Sequence, residues 1–363
     1  MKHTINLRQM ACLAGVLVFA NKILVLPSLF YDKVGVDGIF VLLFMFSIDL
    51  LFLWLFFRLK RAFPKESFFE IISKFLSKYV AIFIFSLICI FFLIKTITTY
   101  NIALLYLKNQ VYFEAEEYIF PICFLTVTNN LVCKGIRSEG RTCEFFYAFT
   151  LTLVGVWIFC SCLNFNGFPM FFNIPAINIG RTAFSFLSVF GDNLFFFLIM
   201  DKIEYKKENA KTVYWYVIIN MVLVAIFYTV FYSVFRYTGS MHNNAASDVI
   251  TFSNKFAGLG RIDIVAVVVV MLLDYFQLSI YNTAFDSSFS SIFPNERKVF
   301  SIVLYDLLFF IGIFFFIPNH VITIDFAEKY LCYFALVLEY LLPLSCIIFS
   351  VFKPQRRKYE KIF

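Results

Sequence analysis

Six ionisable side chains, Lys22, Asp49, Lys95, Asp192, Asp274 and Glu339, fall inside long apolar runs, where a charge is costly. At the centre of a bilayer each costs about 2.5–3.5 kcal/mol, so six facing lipid unpaired would forfeit on the order of 15–20 kcal/mol. They must face one another or a wet cavity. Two uses are open to such a set: buried ion pairs that hold helices together, or a polar site that receives a small ligand. Other chemistries have little support. The nine cysteines include no C-x-x-C pair, and His3, His242 and His320 are scattered without metal-ligand spacing. Cys160 and Cys162, two apart on an expected helix, point to diverging faces and are read as packing residues. No catalytic residue, metal site or cofactor is assigned, and the chain is not read as an enzyme.

The elements that must carry these charges are membrane spans. Of 363 residues 61% are apolar, 15% are charged and 53 are Phe, with a mean hydropathy of +0.82. Soluble chains carry roughly 45–50% apolar and about 25% charged residues. The bilayer is therefore the solvent, which excludes a cytosolic enzyme domain, a secreted disulfide scaffold and a nucleic-acid binder. Ten segments are long enough, approximately 9–29, 37–57, 79–106, 118–133, 144–163, 182–201, 212–236, 262–285, 299–317 and 329–351. Their continuous apolar character excludes a barrel. The first runs past signal-peptide length without a small-residue cleavage pattern and is read as retained. Counted over the loops, one side holds 22 Lys and Arg and the other seven, which predicts that both termini are cytoplasmic. Residues 1–363 are read as one transmembrane domain without a soluble domain. The longest outer segments, about 164–181 with Pro169 and Pro175, and about 237–261 with Gly239, Gly258 and Gly260, can at most cover a cavity.

If the ten spans form two repeats, about 9–163 and about 182–351, Lys22 in the first span matches Asp192 in the sixth, and Lys95 in the third matches Asp274 in the eighth. Opposite signs at matched places fit an all-α, inverted five-plus-five (LeuT-like) fold whose first and sixth spans are broken at mid-depth. The expected breaks are Phe19-Ala20-Asn21-Lys22 and Phe190-Gly191-Asp192-Asn193, with Gly191 supplying backbone freedom and the two Asn able to satisfy freed backbone groups. Singly, either stretch reads equally well as a polar residue bonded between helices. Helical spacing adds Thr98 and Thr99 to Lys95, and Gln277 and Tyr281 to Asp274, one polar stripe on each of two apolar helices. The candidate ligand-binding set is Ala20, Asn21, Lys22, Lys95, Thr99, Gly191, Asp192, Asn193, Asp274 and Gln277.

Several stretches also carry a family likeness: Ile5-Asn6-Leu7-Arg8-Gln9 with Leu26-Pro27, Val36-Asp37-Gly38-Ile39, the loop Gly135-Ile136-Arg137-Ser138-Glu139-Gly140-Arg141, Gly260-Arg261-Ile262-Asp263, and Leu342-Pro343-Leu344 before the basic Lys353, Arg356 and Arg357. In order and spacing the chain resembles the endospore germination permeases, the B subunits of Ger-type nutrient germinant receptors, within the amino acid–polyamine–organocation superfamily. The family's Gly-rich first break is here Ala20-Asn21-Lys22, which puts a cation where a substrate or coupling ion is expected. The resemblance implies a subunit that senses a small nutrient, an amino acid in class, with A-type and C-type (lipoprotein) subunits in the spore inner membrane or the bacterial cytoplasmic membrane. A zwitterion is expected between spans one, three, six and eight, its carboxylate near freed N–H groups or Lys22 and its amine near Asp192 or broken-helix carbonyls. A proton-coupled amino acid transporter is the alternative. A glycan polymerase or flippase is the third class, though the 237–261 segment and its edge offer it only Arg236, His242, Asp248, Lys255 and Arg261.

Overall fold

A computed structural model describes residues 4–111, 119–163, 165, 167, 174–205, 210–252, 263–316 and 324–352. The readings that involve His3, Lys255, His320, Pro169, Gly258, the Gly260-Arg261-Ile262 approach and the basic residues after 352 lie outside the described residues.

The helices are α1 (Leu7–Phe19), α2 (Leu26–Val34), α3 (Gly38–Ala62), α4 (Phe68–Phe75), α5 (Lys78–Gln110), α6 (Ile119–Lys134), α7 (Ile136–Cys162), α8 (Ala176–Ser185), α9 (Leu187–Phe190), α10 (Leu194–Leu198), α11 (Ala210–Val234), α12 (Ala245–Thr251), α13 (Asp263–Ile292) and α14 (Lys298–Phe316). The last, α15 (Ile324–Phe349), contains two π-helical turns, Ala327–Leu331 and Leu336–Leu341. Local chemistry sets several starts. Ser67 and Glu70 cap α4 reciprocally, Ser67 N–H donating to Glu70 Oε2 at 2.9 Å and Glu70 N–H to Ser67 Oγ at 3.2 Å. Ser77 Oγ accepts the Val80 N–H at 3.3 Å and opens α5. Between α2 and α3 the chain turns at Gly35, whose φ of +58° suits a residue without a Cβ.

Seven stretches are long and apolar enough to cross a membrane: Leu26–Ala62, α5, α7, α11, α13, Lys298–Phe315 of α14, and α15. The other three expected spans are short or interrupted. The first is divided into α1 and α2, and the sixth into α8, α9 and α10. The fourth is α6, whose 16 residues reach about 24 Å at the usual rise.

Burial follows from this division. α13 lies along α5 and also meets α6, α7 and α14, while α1 packs between α11 and α7, buried on every side except at Arg8. Phe serves both surfaces. Phe56 packs edge-on against Phe197 at 5.4 Å, and Phe52 against Tyr340 at 4.9 Å. Phe83, Phe145, Phe159, Phe314 and Phe315 are exposed, as suits contact with lipid.

One feature departs from the all-helical expectation. Two residues just before α1 pair in parallel with two residues shortly after α10, β1 (Ile5–Asn6) with β2 (Ile203–Glu204), in the register Ile5↔Ile203 and Asn6↔Glu204. The start of the first segment and the end of the sixth therefore lie together on one side. Alternation over two residues leaves no readable period, so the sequence carries no signal for this pairing.

Candidate functional site

Both interruptions fall where polar residues enter an apolar run. α1 ends at Phe19, and Asn21 follows with φ +24°, the only positive φ of a non-glycine among the described residues. Asn adopts that region more readily than other side chains because its short amide can bond locally. The next amide, Lys22 N–H, donates to Ala20 C=O, and the helix resumes at Leu26 with Pro27 in its first turn, where a missing N–H costs nothing. Carbonyls released by the break find donors from elsewhere: Tyr228 OH donates to Lys22 C=O at 2.7 Å, and Ala245 N–H to Leu24 C=O at 3.2 Å. In the sixth segment α9 ends at Phe190, Asp192 N–H donates to Phe190 C=O, and α10 begins at Leu194. Gly191 sits at this break because a Cβ there would overlap Glu339.

The two breaks meet through an ion network. Lys22 Nζ lies 3.2 Å from Asp192 Oδ2, and Lys95 Nζ lies 2.8 Å from both Asp192 Oδ1 and Glu339 Oε1. Tyr281 OH donates to Asp192 Oδ1 at 2.7 Å, and Gln277 Nε2 donates to Tyr281 OH at 2.6 Å. Lys22 Nζ also donates to Leu17 C=O at 2.5 Å and stands 5.2 Å from the centre of the Phe190 ring. Lys22, Lys95, Asp192 and Glu339 are all at most 5% exposed, so their mutual attraction is little screened and offsets a large desolvation cost. Four elements thereby converge: the break after α1, the break after α9, α5 and α15.

A cavity borders the network on each side. The first, with about 610 Å³ of empty space including its mouth, is lined by Asn21, Lys95, Thr98, Thr99, Gln277 and Tyr281, together with Val25, Leu26 and Leu29 after the first break and Phe186, Ser188 and Val189 before the second. At its rim Glu328 pairs with Lys33 at 2.5 Å. The second, with about 330 Å³, is lined by Lys22, Asp49, Asp192 and Asn193, with Ala14, Leu17 and Val18 before the first break and Phe196 after the second. Because Ile5 pairs with Ile203, the second cavity lies toward that paired side and the first toward the other.

The expected site residues are distributed as follows. Lys22, Lys95 and Asp192 form the network, and Ala20 contributes its backbone carbonyl to the turn. Asn21 Nδ2 donates to Thr99 Oγ1 at 2.9 Å, and Asn193 Nδ2 donates to the backbone carbonyl of Asp49 at 3.1 Å. Asp274 makes no ion pair among the described residues; the Asn21 backbone N–H faces its carboxylate without reaching hydrogen-bond geometry. Glu339, Asp49 and Tyr281 belong with the set, although only their mid-span position or helical spacing marks them in the sequence. A separate buried carboxylate, Glu139, accepts from Ser279 Oγ and Thr283 Oγ1 at 2.8 Å each and ties α7 to α13. Among the described residues no three His, Cys, Asp or Glu are grouped so as to hold a metal.

The family described as "Spore germination protein" matches residues 4–321. No curated protein matches the chain. The matched region takes in both interrupted segments and every helix from α1 to α14, so this multi-pass membrane protein belongs to the spore germination protein family, whose members are non-enzymatic receptors or transporters.

Proposed function

We propose that the chain is the membrane-embedded sensing subunit of a nutrient germinant receptor, binding a small amino-acid-like molecule in the larger cavity. The observation that carries this reading is the contact between that cavity and the ion network through Lys95 and Tyr281. A molecule seated there touches the groups that join both interrupted segments, so its binding shifts the balance between packings of those segments. Action alongside A-type and C-type subunits is part of this reading and is supported by family membership, as cytoplasmic termini are by the charge bias of the loops. The ten-span, five-plus-five arrangement belongs to the same reading, with the first and sixth segments as its broken members.

The test uses spores carrying Thr99→Val or Asn21→Ala, with receptor level followed by immunoblot. Loss of one ligand-facing hydrogen bond shifts the nutrient dose–response by roughly tenfold at unchanged receptor level. Unchanged dose–response in both variants removes the pocket assignment.

A second reading, proton-coupled amino acid transport, is favoured by the smaller cavity on the far side of the network, since a transporter needs access from both sides. Uptake of labelled amino acid into proteoliposomes separates the two, because a sensor need not complete a cycle.

A further inference from the structure

A third hollow lies away from the ion network, in the wall that α6, α7 and α13 make together. It holds about 970 Å³ of empty space including its mouth, more than either cavity at the breaks. Val127, Asn130 and Phe146 on its walls are exposed, so the groove faces outward from the bundle, where lipid surrounds a spanning helix. Its depth is fixed by two contacts. Glu139 near the start of α7 meets Ser279 and Thr283, and Phe146 further along meets Phe276 at 6.2 Å, so α7 and α13 run in opposite directions past each other. The groove therefore reaches inward from the α6–α7 turn. Phe146 lies on the third turn of α7, about 15 Å from its start at the usual rise, which is roughly half the hydrocarbon thickness.

The two ends differ in chemistry. At the turn stand Lys134, Asn130 and Ser138, whose side chains have no hydrogen-bond or ion partner among the described residues. Arg137 and Arg141 follow on the first two turns of α7, while the neighbouring acids are engaged elsewhere: Glu139 with Ser279 and Thr283, and Glu144 with Arg8 at 2.9 Å. The mouth is therefore positive. Further in, Thr126 and Thr142 donate their hydroxyls to the Ile122 and Ser138 carbonyls of their own helices, at 2.7 and 2.9 Å, and offer no donor to an occupant. Leu131, Leu272 and Phe276 complete an apolar lining, and Tyr275 is held flat against Phe124 at 4.4 Å.

We propose that this groove holds an acyl chain of an anionic phospholipid, with the lipid phosphate at Lys134 and Ser138. An occupant must be apolar along most of its length and negative at one end, which describes a phospholipid of the adjoining leaflet. A spanning helix of another protein would cover Val127 and Phe146 but would leave the unpaired Lys134 without a counter-charge. The charge bias of the loops assigns the α6–α7 turn to the cytoplasmic side, where anionic lipids collect and basic pockets between helices take their headgroups.

The test is made on the purified full chain in a neutral detergent. Thermal unfolding and native mass spectrometry are followed on addition of phosphatidylglycerol, phosphatidylcholine or glycerophosphate, the last being a headgroup without chains. Phosphatidylglycerol is expected to stabilise saturably and to remain bound, roughly fivefold more tightly than phosphatidylcholine, with a similar loss in Lys134→Gln. Lys65→Gln, a change of an exposed lysine outside the groove, should bind like the parent chain. Leu131→Trp, which fills the groove, should abolish retention of the lipid. Equal affinity for the two lipids, or a Lys134→Gln variant that binds like Lys65→Gln, overturns the proposal. So does a response to glycerophosphate as strong as that to phosphatidylglycerol, which would make the site one for a soluble phosphate. Failure to retain any lipid also overturns it and leaves the groove to a protein helix. Lys134 is exposed and its replacement does not endanger folding, so Lys134→Gln decides alone should Leu131→Trp fail to fold.

Discussion

The carboxylate of Glu339 stands in the space that a Cβ on residue 191 would need. Gly191→Ala therefore displaces Glu339 from Lys95, its partner at 2.8 Å. Overpacking of this kind costs about 1–3 kcal/mol, and the disturbed ion pair adds to it. The variant is expected to unfold at a distinctly lower temperature than the parent chain in detergent. Equal midpoints would contradict the close approach.

Lys95 holds two carboxylates that would otherwise face each other in a buried place. Lys95→Met should destabilise by about 3–5 kcal/mol, because it leaves Glu339 buried without its ion partner and Asp192 with Lys22 alone. Adding Glu339→Gln to Lys95→Met removes one of those acids and should recover part of the loss. A double-mutant cycle on unfolding free energies measures the coupling, and strict additivity would deny the pairing.

Asn21 carries two separable contributions, a positive φ and a hydrogen bond to Thr99. Asn21→Gly keeps access to the backbone conformation and gives up the bond, at about 0.5–1.5 kcal/mol. Asn21→Val gives up the bond and also forces a β-branched residue into an unfavourable region, at about 1–3 kcal/mol more. Stability is expected to fall in the order Asn, Gly, Val. A valine variant more stable than the glycine variant would show that the first break does not have this geometry.

The Lys33–Glu328 pair at the rim of the larger cavity is partly exposed, with side-chain accessibilities of 31% and 14%. Partly exposed pairs contribute about 0–1 kcal/mol, so Glu328→Gln should leave the unfolding temperature nearly unchanged. Its effect is expected on ligand access, as a shift of roughly threefold or more in the nutrient concentration for half-maximal germination. A shift in stability with no change in response would place the pair off the ligand's path.

What was readable in advance was the part of the molecule written into short stretches. Ala20-Asn21-Lys22 and Gly191-Asp192-Asn193 disrupt apolar runs with residues that bond to backbone or adopt unusual dihedrals, and both helices do stop there. Mid-span charges were readable for the same reason, since a lysine in an apolar helix needs a nearby partner. The identity of that partner was not. Lys95 and Glu339 are 244 positions apart, and no local pattern in the sequence marks the π turn that carries Glu339. Matching halves of the chain pointed from Lys95 toward Asp274, whereas the ion pairs of Lys95 are with Asp192 and Glu339. The bounds 118–133 already make the fourth expected span short, as α6 is, but the Ile5–Ile203 pairing leaves no trace in composition or period.

That pairing has a mechanical consequence. Two backbone rungs fasten the lead-in of one interrupted rod to the exit of the other, so a displacement of Ile5 carries Ile203 with it. A neighbouring protein gripping this strap from the aqueous face would move both rods as a linked lever. The two ends are thus held in register, and a shift of the first segment at this end is tied to a shift of the sixth.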